Sequence, residues 1–154
     1  MWNAKKSVVL SEIACVLAGV TLIALIIFGR RLFDLYFVEF RQISDPSALR
    51  TLKRSLGLCV YPGSVLGLTA LASLMQMLRN IYRGKVFIRQ NVVLLRGISW
   101  CCFAVAALTL YGCIFYLPMA FLTAAAFFVG IILRVVKNVM QHAVSLREEN
   151  DLTI

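Results

Sequence analysis

The chain contains three long apolar stretches without a charged side chain, at residues 13–29, 55–78 and 97–133. A helix rises about 1.5 Å per residue, so about 20 apolar residues cross a hydrocarbon core of about 30 Å. Apolar residues 8–10 lengthen the first stretch, and the third is long enough for two spans, with Pro118 near its middle. The pattern therefore predicts an all-α fold, a single integral membrane four-helix bundle over residues 1–154 with short loops. Its expected spans are roughly 8–29, 56–78, 97–116 and 118–136.

The composition agrees with a membrane protein. Hydrophobic residues make up 61% of the chain and the mean hydropathy is +0.86, whereas soluble domains are about 45–50% apolar. Four spans leave no room for an additional soluble domain of ordinary size. We expect the first span to be retained, because no clean small-residue cleavage site precedes Arg30 and Arg31.

The residue types that usually carry chemistry are sparse. All five cysteines fall within the apolar stretches, and His142 is the only histidine. A disulfide framework and a zinc site are therefore not expected. No nucleophile–base pair and no cofactor motif is visible, so we expect neither an enzyme nor a bound cofactor.

The basic residues predict the orientation of the bundle, because Lys and Arg gather in cytoplasmic loops. The net charge is +9. With both termini in the cytoplasm, ten basic residues face inward: Lys5, Lys6, Arg79, Arg83, Lys85, Arg89, Arg96, Arg134, Lys137 and Arg147. The other six lie in the first external loop: Arg30, Arg31, Arg41, Arg50, Lys53 and Arg54. This bias favours cytoplasmic N- and C-termini. Direct nucleic-acid binding is not expected, since the charges are spread along the chain without an aromatic stacking platform.

The connection between the first two spans is rich in aromatic and aliphatic residues at positions 32–40. Such a segment either lengthens the first span or covers the bundle at the membrane surface, and an external ligand-sensing cap is a further alternative. The second helix is expected to start at Pro46, with Ser44 or Asp45 as its cap. Pro118 is expected to begin the fourth span. Pro62 is expected either to kink the second span or to mark a local adjustment in its hydrogen bonding.

Small residues recur four positions apart in three spans, as Gly63 and Gly67, Ala14 and Ala18, and Ala126 and Gly130. This spacing lets helices approach closely, either within one bundle or across a homo-oligomer face. Glu12 is the acid nearest to a span. It is either an interfacial or paired carboxylate, or an intramembrane ionisable group with a proton- or cation-coupled role.

Two segments are more specific than the spans. Residues 87–98 carry the pattern F-x-x-x-N-x-x-L-L-R-x-I, and residues 146–154 read L-R-E-E-N-D-L-T-I. Asn91 is predicted to cap the third helix. The fourth helix is predicted to run beyond the membrane to about Leu146 with an apolar stripe of Val136, Met140 and Ala143. Its acidic tail should face the basic loop between spans two and three.

These segments resemble a bacterial membrane family known as domain-of-unknown-function family 2975, whose members are four-helix proteins of about this length. Such genes often neighbour a small helix-turn-helix regulator. The resemblance therefore implies a regulatory or interaction protein of the bacterial inner membrane that binds this DNA-binding partner at the cytoplasmic face. The candidate docking residues are Arg83, Lys85, Arg89, Asn91, Arg96, Arg147, Glu148, Glu149, Asn150 and Asp151.

Other interpretations remain open. The docking charges could serve only to set topology, contact anionic lipid and pair with each other. The aromatic segment at residues 33–40 suits an immunity protein against a membrane-active peptide, and Glu12 suits a small transporter or channel subunit.

Overall fold

A computed structural model describes the backbone of residues 4–40 and 45–151. These residues form four α-helices and no strand. The helices are α1 (Ala4–Asp34), α2 (Pro46–Tyr82), α3 (Arg89–Cys113) and α4 (Met119–Asp151). Each is long and apolar enough to cross a membrane. The predicted all-α membrane bundle is confirmed, and the protein is a multi-pass membrane protein.

The helices pack in chain order, α1 against α2, α2 against α3, and α3 against α4. The contact between α3 and α4 is the most extensive of the three. Like α2, α3 has a neighbouring helix on two sides. Of its 18-residue stretch of high hydropathy 33% is buried, the largest share among the four helices. Its buried side is formed by Asn91, Val92, Leu95, Ile98, Ser99, Ala106, Thr109 and Gly112.

Local sequence signals set the helix starts. Asp45 caps α2, because its Oδ1 accepts hydrogen bonds from the Ser47 backbone N–H at 3.0 Å and the Ser47 hydroxyl at 2.8 Å. Ser44, the other predicted cap, lies outside the described residues. Pro46 is the first residue of α2, where its missing N–H costs nothing. Pro118 directly precedes α4, and the α2 helix continues through Pro62.

The aromatic segment continues α1 as helix. After Asp34 the chain forms a π-helical stretch, Leu35–Phe40. Phe37 is buried there and packs edge-on against the Tyr116 ring, with centroids 6.2 Å apart, while the Tyr36 and Tyr116 hydroxyls are hydrogen-bonded at 2.9 Å. The segment thus both lengthens the first span and covers the turn between α3 and α4. We call residues 33–37 and 114–118 the aromatic end of the bundle.

The small residues differ in how closely a neighbour approaches them. A Cβ added at Gly67 would lie 3.0 Å from the Leu22 side chain of α1, and one at Gly130 would lie 3.0 Å from the Phe103 ring of α3. A Cβ at Gly63 would meet nothing within 4 Å, and Ala14 is exposed. One glycine of the predicted pair therefore serves packing within the bundle.

Candidate functional site

The opposite end of the bundle contains the α2–α3 loop and the last turns of α4. We call residues 83–89 and 134–151 the basic end. The loop turns sharply because Gly84 has a φ of +74°, a left-handed conformation that glycine adopts without strain. The Gly84 and Lys85 amides then donate to the Ile81 and Asn80 carbonyls, both at 2.9 Å, which closes the end of α2.

Asn91 fixes this loop to the bundle. Its side chain is fully buried, its Oδ1 accepts from the Asn80 amide at 2.8 Å, and its Nδ2 donates to the carbonyls of Lys85 at 3.0 Å and Val86 at 2.8 Å. A buried polar group with this many partners defines one arrangement of the loop. Asn91 therefore joins α2, the loop and α3.

The prediction that Asn91 caps α3 is wrong. The helix begins at Arg89, and the N-cap position is occupied by Ile88, which makes no side-chain cap bond. Asn91 lies within the first turn and faces inward, where its amide meets the loop carbonyls instead of the helix N–H groups. The F-x-x-x-N pattern marked Asn91 as a specific residue of the loop region. The direction of its side chain, which decides between capping the helix and binding the loop, was not predictable from the sequence.

Arg89 and Glu148 form a two-pronged ion pair between α3 and α4. The Arg89 Nε and Nη2 atoms donate to the two Glu148 carboxylate oxygens at 2.8 and 2.7 Å. The hydrogen bonds from Arg89, and the attraction of its positive charge, hold the pKa of Glu148 below its usual range. The same pair raises the pKa of Arg89. Both groups lie beyond the uncharged stretch 97–133. The predicted meeting of the tail with the basic loop region is present in this pair.

The predicted docking residues separate onto two sides of α3. Arg89, Arg96 and Glu148 line a groove of about 350 Å³ between α3 and α4, whereas Arg83 lines a second groove of about 610 Å³ between α2 and α3. Lys85, Arg147, Glu149 and Asn150 are exposed around these grooves. The side chain of Asp151 lies outside the described part of the chain.

The α4 surface that contacts α3 differs from the predicted stripe. Val144 is the buried residue, 5% exposed, while Met140 and Ala143 are half-buried and Val136 is exposed. The contact row runs through Lys137, Met140 and Val144. Because Lys137 is charged, a search for apolar residues at helical spacing does not find this row.

Glu12 is half-buried on α1. No hydrogen bond or ion pair joins it to another described side chain. Within the described part of the chain, no group of three His, Cys, Asp or Glu residues could hold a metal ion. The five cysteines are free thiols.

Comparison with known proteins gives one family. Among curated proteins and solved structures, no match to the chain is found. A sequence model of the family described as "Protein of unknown function (DUF2975)" matches residues 8–154, a range that contains all four spans and both specific motifs. The chain belongs to this family of unknown function, DUF2975.

Proposed function

We propose that this protein is a regulatory interaction protein of the bacterial inner membrane. In this proposal the basic end faces the cytoplasm and binds a small helix-turn-helix transcription regulator. The observation that carries the proposal is the two-pronged Arg89–Glu148 pair, which holds the end of α4 beside α3 and next to a groove. A docking surface requires such a defined geometry, since ordering a loose tail would oppose binding.

The length of α4 supports a surface that extends from the bilayer. Beyond Leu133, where the uncharged stretch ends, the helix continues to Asp151, a distance of about 27 Å at about 1.5 Å per residue. Val135, Val139 and Leu146 are more than half exposed on this part and share one side of the helix. An amphipathic helix of this kind suits packing against a helical partner.

The charge of the tail supports a DNA-binding partner. Glu148 and Glu149 are adjacent acids near the end of α4. A regulator that neutralises DNA phosphates carries a basic surface, and an acidic helix end can compete for that surface. Capture at the membrane would then lower the regulator concentration at its operator.

Glu148 gives this capture a means of control. Its carboxylate is bonded to Arg89 in the structure, so a basic partner must share or replace that bond. A signal that shifts the bundle between two states would release or retain the partner only if it binds the two states differently. A change from mostly bound to mostly free requires several kcal/mol of such difference.

The test is a gentle-detergent pull-down from the native host with an N-terminal tag, followed by mass spectrometry. We expect recovery of a helix-turn-helix regulator from the wild type and its loss when residues 147–154 are deleted. Charge reversal by Glu148→Lys with Glu149→Lys should also abolish recovery, whereas Arg50→Glu, a charge reversal at an exposed position outside the basic end, should not. Equal recovery from the deletion variant would refute the docking surface, and wild-type protein that purifies alone would refute the proposed function.

A charge swap separates two roles of the pair. Arg89→Glu combined with Glu148→Arg restores an internal ion pair with the charges exchanged. If the regulator binds the acidic side chain of Glu148, the swap variant should still capture less regulator than the wild type. Full capture by the swap variant would mean that the pair serves only to order the end of α4.

The immunity and transport alternatives stay predictions. Phe37 gives the aromatic segment a packing role, because it is buried against Tyr116. No described contact of Glu12 favours coupled transport.

A further inference from the structure

A second pocket lies between α3 and α4, next to the groove that contains the Arg89–Glu148 pair and closer to the membrane centre than that pair. Its volume is about 360 Å³. Three of its six lining residues are cationic, and the lining consists of Arg96, Ser99, Trp100, Arg134, Lys137 and Asn138. We call it the α3–α4 basic pocket.

Three positive charges converge in this pocket and no acid lines it. Arg96 comes from α3, and Arg134 and Lys137 come from α4. None of the three forms an ion pair with a described residue. The nearest carboxylate in the adjoining groove, that of Glu148, is bonded to Arg89. Like charges this close repel each other, so the site favours an anion between them.

The Arg134 guanidinium is held in place by aromatic rings. Its central carbon lies 5.0 Å from the centre of the Trp100 ring and 5.5 Å from that of Phe103. Phe103 in turn packs closely on Gly130, where an added Cβ would lie 3.0 Å from the ring. The cation–π contacts orient the guanidinium without neutralising its charge, so its N–H groups stay available.

The position of the pocket identifies the anion. The uncharged stretch 97–133 contains both membrane-crossing parts of α3 and α4, and Arg96 and Arg134 are the residues immediately before and after it. Because α3 and α4 run in opposite directions, both arginines lie at the same level, where hydrocarbon meets water. Trp100 is 59% exposed beside them, as expected for an interfacial tryptophan. The phosphates of the bilayer lie at this level.

We propose that the α3–α4 basic pocket binds the phosphate of an anionic phospholipid headgroup. Arg96, Arg134 and Lys137 surround the phosphate, and the exposed Asn138 amide can bond to the headgroup beyond it. Basic pockets between membrane helices bind anionic lipids in this way. The Arg89–Glu148 pair and the tail lie outside this pocket, whereas Arg96 lines both the pocket and the adjoining groove. Lipid binding is therefore measured on the protein alone, in a bilayer without the regulator proposed above.

Trp100 offers a direct probe. The chain has two tryptophans, so Trp2→Phe leaves Trp100 as the only one. The variant is reconstituted in bilayers containing either dibrominated phosphatidylglycerol or dibrominated phosphatidylcholine, whose bromines quench an adjacent indole. The quenching gives the relative binding constant of the two lipids at Trp100. We expect a preference for phosphatidylglycerol of at least about fivefold.

Arg96→Gln with Lys137→Gln should reduce this preference to near one, while each single variant gives an intermediate value. The double variant and the two single variants all keep Arg134, and therefore keep its contact with the Trp100 ring. The matched control, Arg31→Gln with Arg50→Gln, removes the same charge at exposed positions elsewhere and should keep the preference. Circular dichroism checks that every variant is equally helical.

Three results would overturn the proposal. The first is a wild-type preference near one, and the second is an equal loss in the control variant. The third is displacement of phosphatidylglycerol by millimolar inorganic phosphate, which would assign the pocket to a soluble anion.

Discussion

The α1 and α3 helices are both apolar enough to cross a membrane, but α3 is packed against its neighbours far more than α1 is. α1 is the more hydrophobic of the two, yet only 6% of its most hydrophobic window is buried, against 33% for α3. The difference lies in the polar residues, since Asn91, Ser99 and Thr109 of α3 are all buried. In lipid, apolar side chains gain little by leaving the hydrocarbon, so small and hydrogen-bonding residues mark the central helix.

The bonds across helices follow the same division. The Ser99 hydroxyl donates to the Gly130 carbonyl of α4 at 2.9 Å, and the Thr123 hydroxyl of α4 donates to that of Thr109 at 2.9 Å. On α1, Thr21 bonds to the Leu17 carbonyl of its own helix. α1 is joined to its neighbours at the aromatic end, where Asp34 pairs with Lys53 and Phe37 packs on Tyr116.

The largest expected effect is at this attachment. Phe37→Ala should lower the free energy of unfolding by about 3 kcal/mol, because it removes a buried ring and leaves a cavity. Leu35→Ala, two residues away and 49% exposed, is the control and should have little effect. Unfolding in mixed detergent micelles measures both. Equal losses from the two variants would mean that α1 is held elsewhere along its length.

The next effect concerns the contact between α2 and α3. Asn91→Ala should cost about 2 kcal/mol, because it leaves the Asn80 amide and the Lys85 and Val86 carbonyls without their partner. Asn138→Ala, at an exposed position, should be nearly neutral. Limited proteolysis should also cut the loop at residues 83–88 faster in the Asn91 variant. An unchanged cleavage rate would argue against the loop-fixing role of Asn91.

Two glycines test close packing directly. Gly130→Ala should destabilise by about 1 kcal/mol or more, since its Cβ would lie 3.0 Å from the Phe103 ring. Gly63→Ala should be neutral or slightly stabilising, because nothing lies within 4 Å and alanine favours helix. The same unfolding assay compares them. A loss at Gly63 similar to that at Gly130 would indicate a contact on the Gly63 face, such as a second copy of the chain.

The smallest effect is the pH dependence of the Arg89–Glu148 pair. The folded pKa of Glu148 is lowered, so the stabilisation is complete above the usual pKa of a glutamate, about 4.3, and is lost as the pH falls through the lowered value. The raised pKa of Arg89 has no effect in this acid range. A spin label at Asn150→Cys in a cysteine-free background should become more mobile on acidification.

Glu148→Gln is the control for this measurement. Its label should be mobile at neutral pH and show no further change on acidification. A label that stays equally immobile in wild type and Glu148→Gln would show that the pair does not hold the end of α4.

The sequence predicted the number of helices, a cap of α2 at Ser44 or Asp45 and the start of α4 to within one residue, because each depends on neighbouring residues. The orientation of Asn91 and the contact row through Lys137 and Val144 were not predictable in this way. They depend on how each helix is rotated about its axis relative to its neighbour. In lipid both the packed and the exposed faces of a helix can be apolar, so the spacing of apolar residues does not determine that rotation. The sequence shows that Arg89 and Glu148 have opposite charges. It does not show that they pair, because that depends on how far α3 and α4 are shifted along each other.

The turn at residues 114–118 has a consequence for synthesis. It carries no charged side chain, unlike the connection between α1 and α2. In the proposed orientation this turn crosses the bilayer without taking an ion through hydrocarbon, a step that is costly for charged groups. α3 and α4 can therefore enter the bilayer together as a helical hairpin, whose two helices are joined in the folded bundle by the Ser99 and Thr123 hydrogen bonds.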